Sequence, residues 1–163
     1  IDRQPHGPVP LVRALAQSMN LATVDIGLQV GVAKVAKQLA AMGLEREPRA
    51  VPAMLLGAVE ATPLEVAQVY GTLANGGFRT PLRAVRAVVD ARGKPLKAFE
   101  LEARAVASPE AVYAVDRMLV EVIDRGTGAA ARSRLPQGLV VAGKSGTSSA
   151  YRDRYATTSA IVA

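Results

Sequence analysis

"GLVVAGKSGT", residues 138–147, runs an apolar triplet into a cation, a glycine and two hydroxyls. Leu139, Val140 and Val141 suit a strand. A packed core has no use for Lys144, Ser145, Gly146 and Thr147 in that order. A site that holds a carboxylate or an oxyanion does. Lys144 carries a cation on a flexible stem. Gly146 has no side chain, so a ligand backbone can come close. Ser145 and Thr147 offer hydroxyls to a carboxylate, and the Thr147 amide can meet a developing oxyanion. The same four residues also fit an ordinary strand end followed by a polar turn.

Working outward from this strand, the chain has an α+β pattern. "PLVRALAQS" (10–18) predicts a short helix with Leu11, Ala14 and Leu15 on one side, and "VAKVAKQLAAMG" (32–43) predicts a second, closed by Gly43. "TPLEVAQVYGTLANGG" (62–77) is the best signposted: Thr62 caps, Pro63 takes the first helical position, and Glu65 completes a capping box. Asn75, Gly76 and Gly77 end it. "AVRAVVDARGKPL" (84–96) predicts a strand, a turn around Gly93 and a return strand. "SPEAVYAVDRMLVEVIDRG" (108–126) repeats the helix grammar. Its buried stripe is Val112, Val115, Leu119, Val122 and Ile123.

Composition narrows the chemistry. The 163 residues suffice for one domain with a core, and half are hydrophobic, which argues against disorder. The longest apolar run, "VPAMLLGAV" (51–59), is far short of a membrane span. There is no Cys and one His, which excludes a disulfide framework, a thiolate nucleophile and a multi-His or Cys metal site; no metal and no cofactor is expected. The net charge is +6, but the basic residues are scattered and few aromatics interleave with them. That is a solvated surface rather than a nucleic-acid stripe, and no nucleic-acid partner is expected. The first residue is Ile1 and no leader pattern is visible, so the chain reads as a piece of a longer one.

A second fragment adds to the strand motif. "QSMN", residues 17–20, closes the first predicted helix and sets Ser18 and Asn20 two apart. In a loop or extended stretch, both side chains can converge on one cleft. Alone they also fit a polar helix end. Ser-x-Asn followed by Lys-Ser-Gly-Thr makes two of the three motifs of penicillin-binding proteins and class A β-lactamases. "GPVPLVRALAQSMNLATVDIG", "VPAMLLGAVEATPLEVAQVYGTLANGGFRTPL" and "VIDRGTGAAAR" extend the likeness. From about Asp2 to Asp153 the chain resembles the transpeptidase domain of bifunctional, class A penicillin-binding proteins, those of the 1B type above all.

The resemblance implies a fold of helices packed on an antiparallel sheet, incomplete here at both ends. Residues 1–153 would be a partial transpeptidase domain and 154–163 a divergent tail. It implies a peptidoglycan synthase that cross-links stem peptides ending in D-Ala-D-Ala through a serine acyl-enzyme and is trapped by β-lactam antibiotics. Ser18 would belong to a proton relay with Lys144. Asn20 would hold the donor's amide backbone. Ser145, Gly146 and Thr147 would form the carboxylate and oxyanion edge, along which an extended substrate adds as a strand. The longer protein would carry a glycosyltransferase domain and a single-pass anchor. It would face the periplasm from the inner membrane, with an outer-membrane lipoprotein activator as a further partner.

Two departures stand out. The family's nucleophile motif is Ser-x-x-Lys. The residues three places after Ser18, Ser108, Ser133, Ser145, Ser148, Ser149 and Ser159 are Leu, Ala, Pro, Ser, Tyr, Arg and Val. The motif is therefore expected upstream of Ile1, and the chain alone is expected to be inactive. After Asp153 the family's aromatic-rich strand is not recognisable in "RDRYATTSAIVA". "RGTG" (125–128) reads as a helix stop and a turn, although the resemblance sets it near the cleft. His6 reads as a surface residue. The rival readings are a serine β-lactamase or D-Ala-D-Ala carboxypeptidase of the same superfamily, and a non-enzymatic basic binding module.

Overall fold

A computed structural model describes residues 6–148 and 156–162, the stretches 147–148 and 156–162 by backbone alone. Six α-helices and six strands follow one another as α1 (Leu11–Ala16), α2 (Asn20–Val30), α3 (Val32–Met42), a 3-10 turn (Pro52–Leu56), α4 (Pro63–Ala74), β1 (Phe78–Arg79), β2 (Ala87–Val89), β3 (Pro95–Ala98), β4 (Arg104–Ala105), α5 (Pro109–Arg125), α6 (Ala129–Arg132), β5 (Ala142–Ser148) and β6 (Ala156–Val162). The strands pair antiparallel as β1 with β4, β2 with β3 and β5 with β6. The expected α+β class, with helices on antiparallel strands, is what forms.

The long helix α5 organises the part that matters. It packs on β5 and α1, and buries Val112, Leu119, Val120, Val122 and Ile123. Val115, expected in this stripe, lies half-buried at its margin. Ser108 accepts from the Ala111 amide and starts the helix. Opposite the stripe sits Val141, buried just ahead of β5. The α4 capping box is present in both directions: the Glu65 amide donates to Thr62 Oγ1, and the Thr62 amide to Glu65 Oε2. The Thr62 amide, with the Glu45 amide and the Thr62 hydroxyl, donates to the Glu65 carboxylate and holds it below the usual glutamate range. Farther along α4, buried Gln68 donates to the Thr80 carbonyl and accepts from the Leu82 amide, which pins the chain as it leaves for the β2–β3 arm.

Four expectations change. The first helix stops at Ala16 rather than Ser18, and Leu11 is 54 % exposed while Ala14 and Ala16 are buried. Its small residues are the ones that approach α5. Second, Asn20 opens a helix, α2, which has no capping side chain. "NLATVDIGLQV" has apolar residues around its whole circumference, so it shows no stripe to read. Third, the β5 ladder begins at Ala142, because Gly138 turns with φ +82 and residues 139–141 lead in without pairing. Fourth, residues 156–162 form β6, in register with β5 from Ala142–Val162 to Ser148–Ala156. Asp153 and residues 154, 155 and 163 lie outside the described residues.

Candidate active site

The site is made where the end of α1 meets the end of α5 and the start of β5. Helix α1 closes with two inward bonds, Ser18 amide to Leu15 carbonyl and Met19 amide to Ala14 carbonyl. This is the Schellman pattern, and its left-handed position usually belongs to glycine. Here Ser18 occupies it, with φ +52; it is the one non-glycine residue of positive φ among those described. A left-handed serine costs about 1 kcal/mol or more relative to glycine. The helix thus ends at a point where backbone strain is accepted and a hydroxyl is displayed.

The turn after α5 is shaped to receive that end. The Thr127 amide donates to the Ala16 carbonyl at 2.9 Å. A Cβ on Gly126 would overlap the same carbonyl oxygen, and a Cβ on Gly128 would lie 2.8 Å from Ile123 Cδ1. Both glycines of Gly-Thr-Gly therefore answer to close approach, one to α1 and the other to the last turn of α5. Gln17 adds a long bond to the Arg125 carbonyl, 3.4 Å. Arg132 binds the Leu139 and Pro136 carbonyls at 2.7 and 2.9 Å, which steadies the approach to β5.

Four side chains converge there. Lys144 Nζ donates to Ser18 Oγ at 2.5 Å and to the Ser145 carbonyl at 2.7 Å. Thr127 Oγ1 lies 2.6 Å from Ser145 Oγ and 3.4 Å from Ser18 Oγ. Burial pushes the Lys144 ammonium below the ordinary lysine pKa. An amine so placed gives up its proton more readily than an ordinary lysine, which suits a part in proton transfer. Among the expected residues, Ser18, Lys144 and Ser145 are brought together. Gly146 is exposed on β5 opposite Thr158, and Asn20 is exposed at the first turn of α2. The Thr147 backbone pairs with Thr157; its side chain is outside the described residues.

Thr127 was not among the expected site residues, although the paired glycines around it mark a point of close backbone contact. Among the described residues β5 pairs with β6 alone, so its second edge carries no ladder. The groove lined by Arg83, Val85, Phe99 and Leu101 on the β2–β3 arm includes none of the four converging residues. No group of three or more acidic, His or Cys side chains that could hold a metal occurs among the described residues.

The family model of the penicillin binding protein transpeptidase domain matches residues 1–162. The chain belongs to this family. The matched span runs past Asp153 into the stretch set apart as a tail. Penicillin-binding protein 1B of Vibrio cholerae is 37% identical over 155 residues, which cover 94% of this chain and 20% of that protein. The Escherichia coli protein of the same name is 42% identical over 143 residues, 86% of this chain and 17% of its own length. The chain thus spans about a fifth of the length of these relatives. Among solved structures, penicillin-binding protein 1A of Haemophilus influenzae superposes with a TM-score of 0.82 at 22% identity, over 97% of this chain and 30% of the other. Penicillin-binding protein A of Mycobacterium tuberculosis, in its ceftriaxone acyl-enzyme complex, gives 0.78 at 22% identity, over 95% and 41%. These two likenesses bear on the fold. The penicillin-binding transpeptidase architecture is therefore that of this chain.

Proposed function

We propose that the chain supplies the relay and carboxylate-binding half of a serine acyl-transfer site, in a larger protein that cross-links peptidoglycan. The observation that carries this reading is the Lys144–Ser18 contact, with Ser145 and Thr127 beside it, at the start of a strand whose second edge carries no ladder among the described residues. A serine from a Ser-x-x-Lys segment, a motif these 163 residues do not contain, attacks the carbonyl before the donor's terminal D-alanine. Ser18 and Lys144 pass a proton to the departing amine. The acyl group then moves to an amine of a second stem peptide. Lys144, Ser145 and Thr147 hold the donor's terminal carboxylate. Asn20 holds its amide backbone, and the β5 edge beside Gly146 pairs with it as an added strand.

β-Lactams enter the same site as donors whose acyl group cannot leave. The acyl-enzyme named for the Mycobacterium tuberculosis relative belongs to that protein, and the shared fold favours the same chemistry here. The names of the 1B relatives favour a synthase with a glycosyltransferase domain. Such a protein works at the periplasmic face of the inner membrane, held by an anchor outside this segment; among the described residues no helix is long and apolar enough to cross a membrane. Within the protein, residues 1–153 act as the transpeptidase portion. An outer-membrane lipoprotein is the activator expected of this type.

In the full-length protein, Lys144→Ala and Ser18→Ala are each expected to slow acylation by a fluorescent penicillin roughly 10²- to 10⁴-fold. Near-normal labelling of either variant removes that residue from the relay. Product analysis with stem-peptide substrates separates cross-linking from the hydrolysis expected of a β-lactamase or carboxypeptidase.

A further inference from the structure

Thr127 is the one hydroxyl of the cluster to which neither Ser-x-Asn nor Lys-Ser-Gly-Thr gives a role. Its position is held by backbone: the Thr127 amide is bound to the Ala16 carbonyl, and glycines flank it on both sides. Its side chain bridges two groups of different function. Ser145 Oγ is 2.6 Å away and Ser18 Oγ 3.4 Å. Lys144, a pure donor, is fixed at the far end of the row, giving a proton to Ser18 Oγ.

Each hydroxyl has one proton, so the row Ser18–Thr127–Ser145 can run in two senses. If Ser145 donates to Thr127 and Thr127 to Ser18, Ser145 turns lone pairs toward the cleft. A carboxylate there would meet oxygen with oxygen. If Ser18 donates to Thr127 and Thr127 to Ser145, the Ser145 proton is free to be given to the carboxylate. Ser18 then accepts from Lys144 and keeps its second lone pair open for a proton arriving from a nucleophile. An anion at Ser145 selects the second sense, because a charge-assisted hydrogen bond is stronger than a neutral one. The change needs three hydroxyl rotations and breaks no covalent bond.

We infer that Thr127 is a positioning residue that couples the carboxylate site at Ser145 to the proton relay at Ser18. The inference rests on the reading of the site as a carboxylate-recognising acyl-transfer centre. Binding of the substrate carboxylate is thereby linked to the readiness of Ser18 to take a proton, through a single hydroxyl that belongs to neither motif.

The test uses the full-length protein and two ligands, a penicillin with a free carboxylate and its methyl ester. The acylation constant is measured for wild type, Thr127→Val and Thr127→Ser. Thr127 is exposed and is held by its amide, so Thr127→Val keeps the fold; thermal melting checks this. The acid-to-ester ratio should fall about tenfold in Thr127→Val, the scale of one hydrogen bond acting on a charged group. Thr127→Ser should keep the wild-type ratio, and the loss in Thr127→Val should lie in the acylation rate more than in ligand dissociation. An unchanged ratio in Thr127→Val overturns the coupling, as does an equal fall in Thr127→Ser. A full-length wild type that takes no label from the free acid overturns the acyl-transfer reading itself.

Discussion

Ser18 sits where a helix end calls for glycine, and its hydroxyl reaches Lys144 from there. Stability and activity therefore pull apart at one residue. Ser18→Gly removes the left-handed penalty and should leave the fold as stable as wild type or more so, by up to about 1 kcal/mol. It also removes the hydroxyl, so labelling by penicillin should fall as far as in Ser18→Ala. A melting temperature clearly below wild type would show that the serine side chain, and not the strand motif alone, holds the α1 end. Lys144 brings a second residue-scale expectation. Its pKa is lowered by burial, so as pH rises its charge is lost before that of an ordinary lysine. Proton binding in the folded state falls first, and the attraction for an anionic ligand goes with it. The affinity of the full-length protein for a carboxylate-bearing β-lactam should decline as pH rises through that lowered value. The methyl ester should not follow the same limb. Parallel profiles for acid and ester would separate Lys144 from carboxylate binding.

Elements carry the site through a few contacts of backbone on backbone, and these were the least legible in the sequence. The capped helices could be read because Thr62, Glu65 and Ser108 act on their own turns. Lys144 and Ser145 could be read because their chemistry is wasted in a core. Helix α2 could not be, since its apolar residues encircle it and no side chain caps it. Nor could Thr127, because what places it is a carbonyl of α1, 111 positions earlier in the chain, and no local pattern records that contact. Gly126 tests this level. A Cβ there meets the Ala16 carbonyl oxygen, so Gly126→Ala should push the α1 end away from the α5 turn. The expected cost is about 1–3 kcal/mol of stability, as for other overpacked positions. Acylation should drop about tenfold to 100-fold from the misplaced Ser18. Gly93→Ala is the control: Gly93 has a positive φ, which Gly126 does not, but a Cβ there meets nothing in the open turn of the β2–β3 arm. It should cost stability there without touching acylation. Equal effects of the two variants on labelling would mean that Gly126 acts through general destabilisation.

At the scale of the whole molecule, large apolar side chains are left exposed among the described residues: Leu21 is 74% exposed, Leu28 53% and Val30 48% on α2, and Val140 64% just before β5. Patches of this kind seek a partner layer. The 163-residue polypeptide, prepared by itself, should therefore self-associate or melt without a sharp transition, whatever its helix content. It should also take no boil-resistant label from a fluorescent penicillin, since none of its serines is followed by lysine at the third place. The two outcomes have different causes and can be told apart. Downstream flanking sequence of the larger protein proposed above, added by itself, should reduce association but leave labelling at zero. Adding as well the Ser-x-x-Lys segment that the proposed function calls for should restore a cooperative melt and stoichiometric acylation together. A sharp melt of the 163 residues as a monomer would mean that α2 and the approach to β5 tolerate water better than their side chains suggest. Labelling of the short polypeptide would mean that one of its own serines is a nucleophile, and Ser18, held by Lys144, would then be the first to replace.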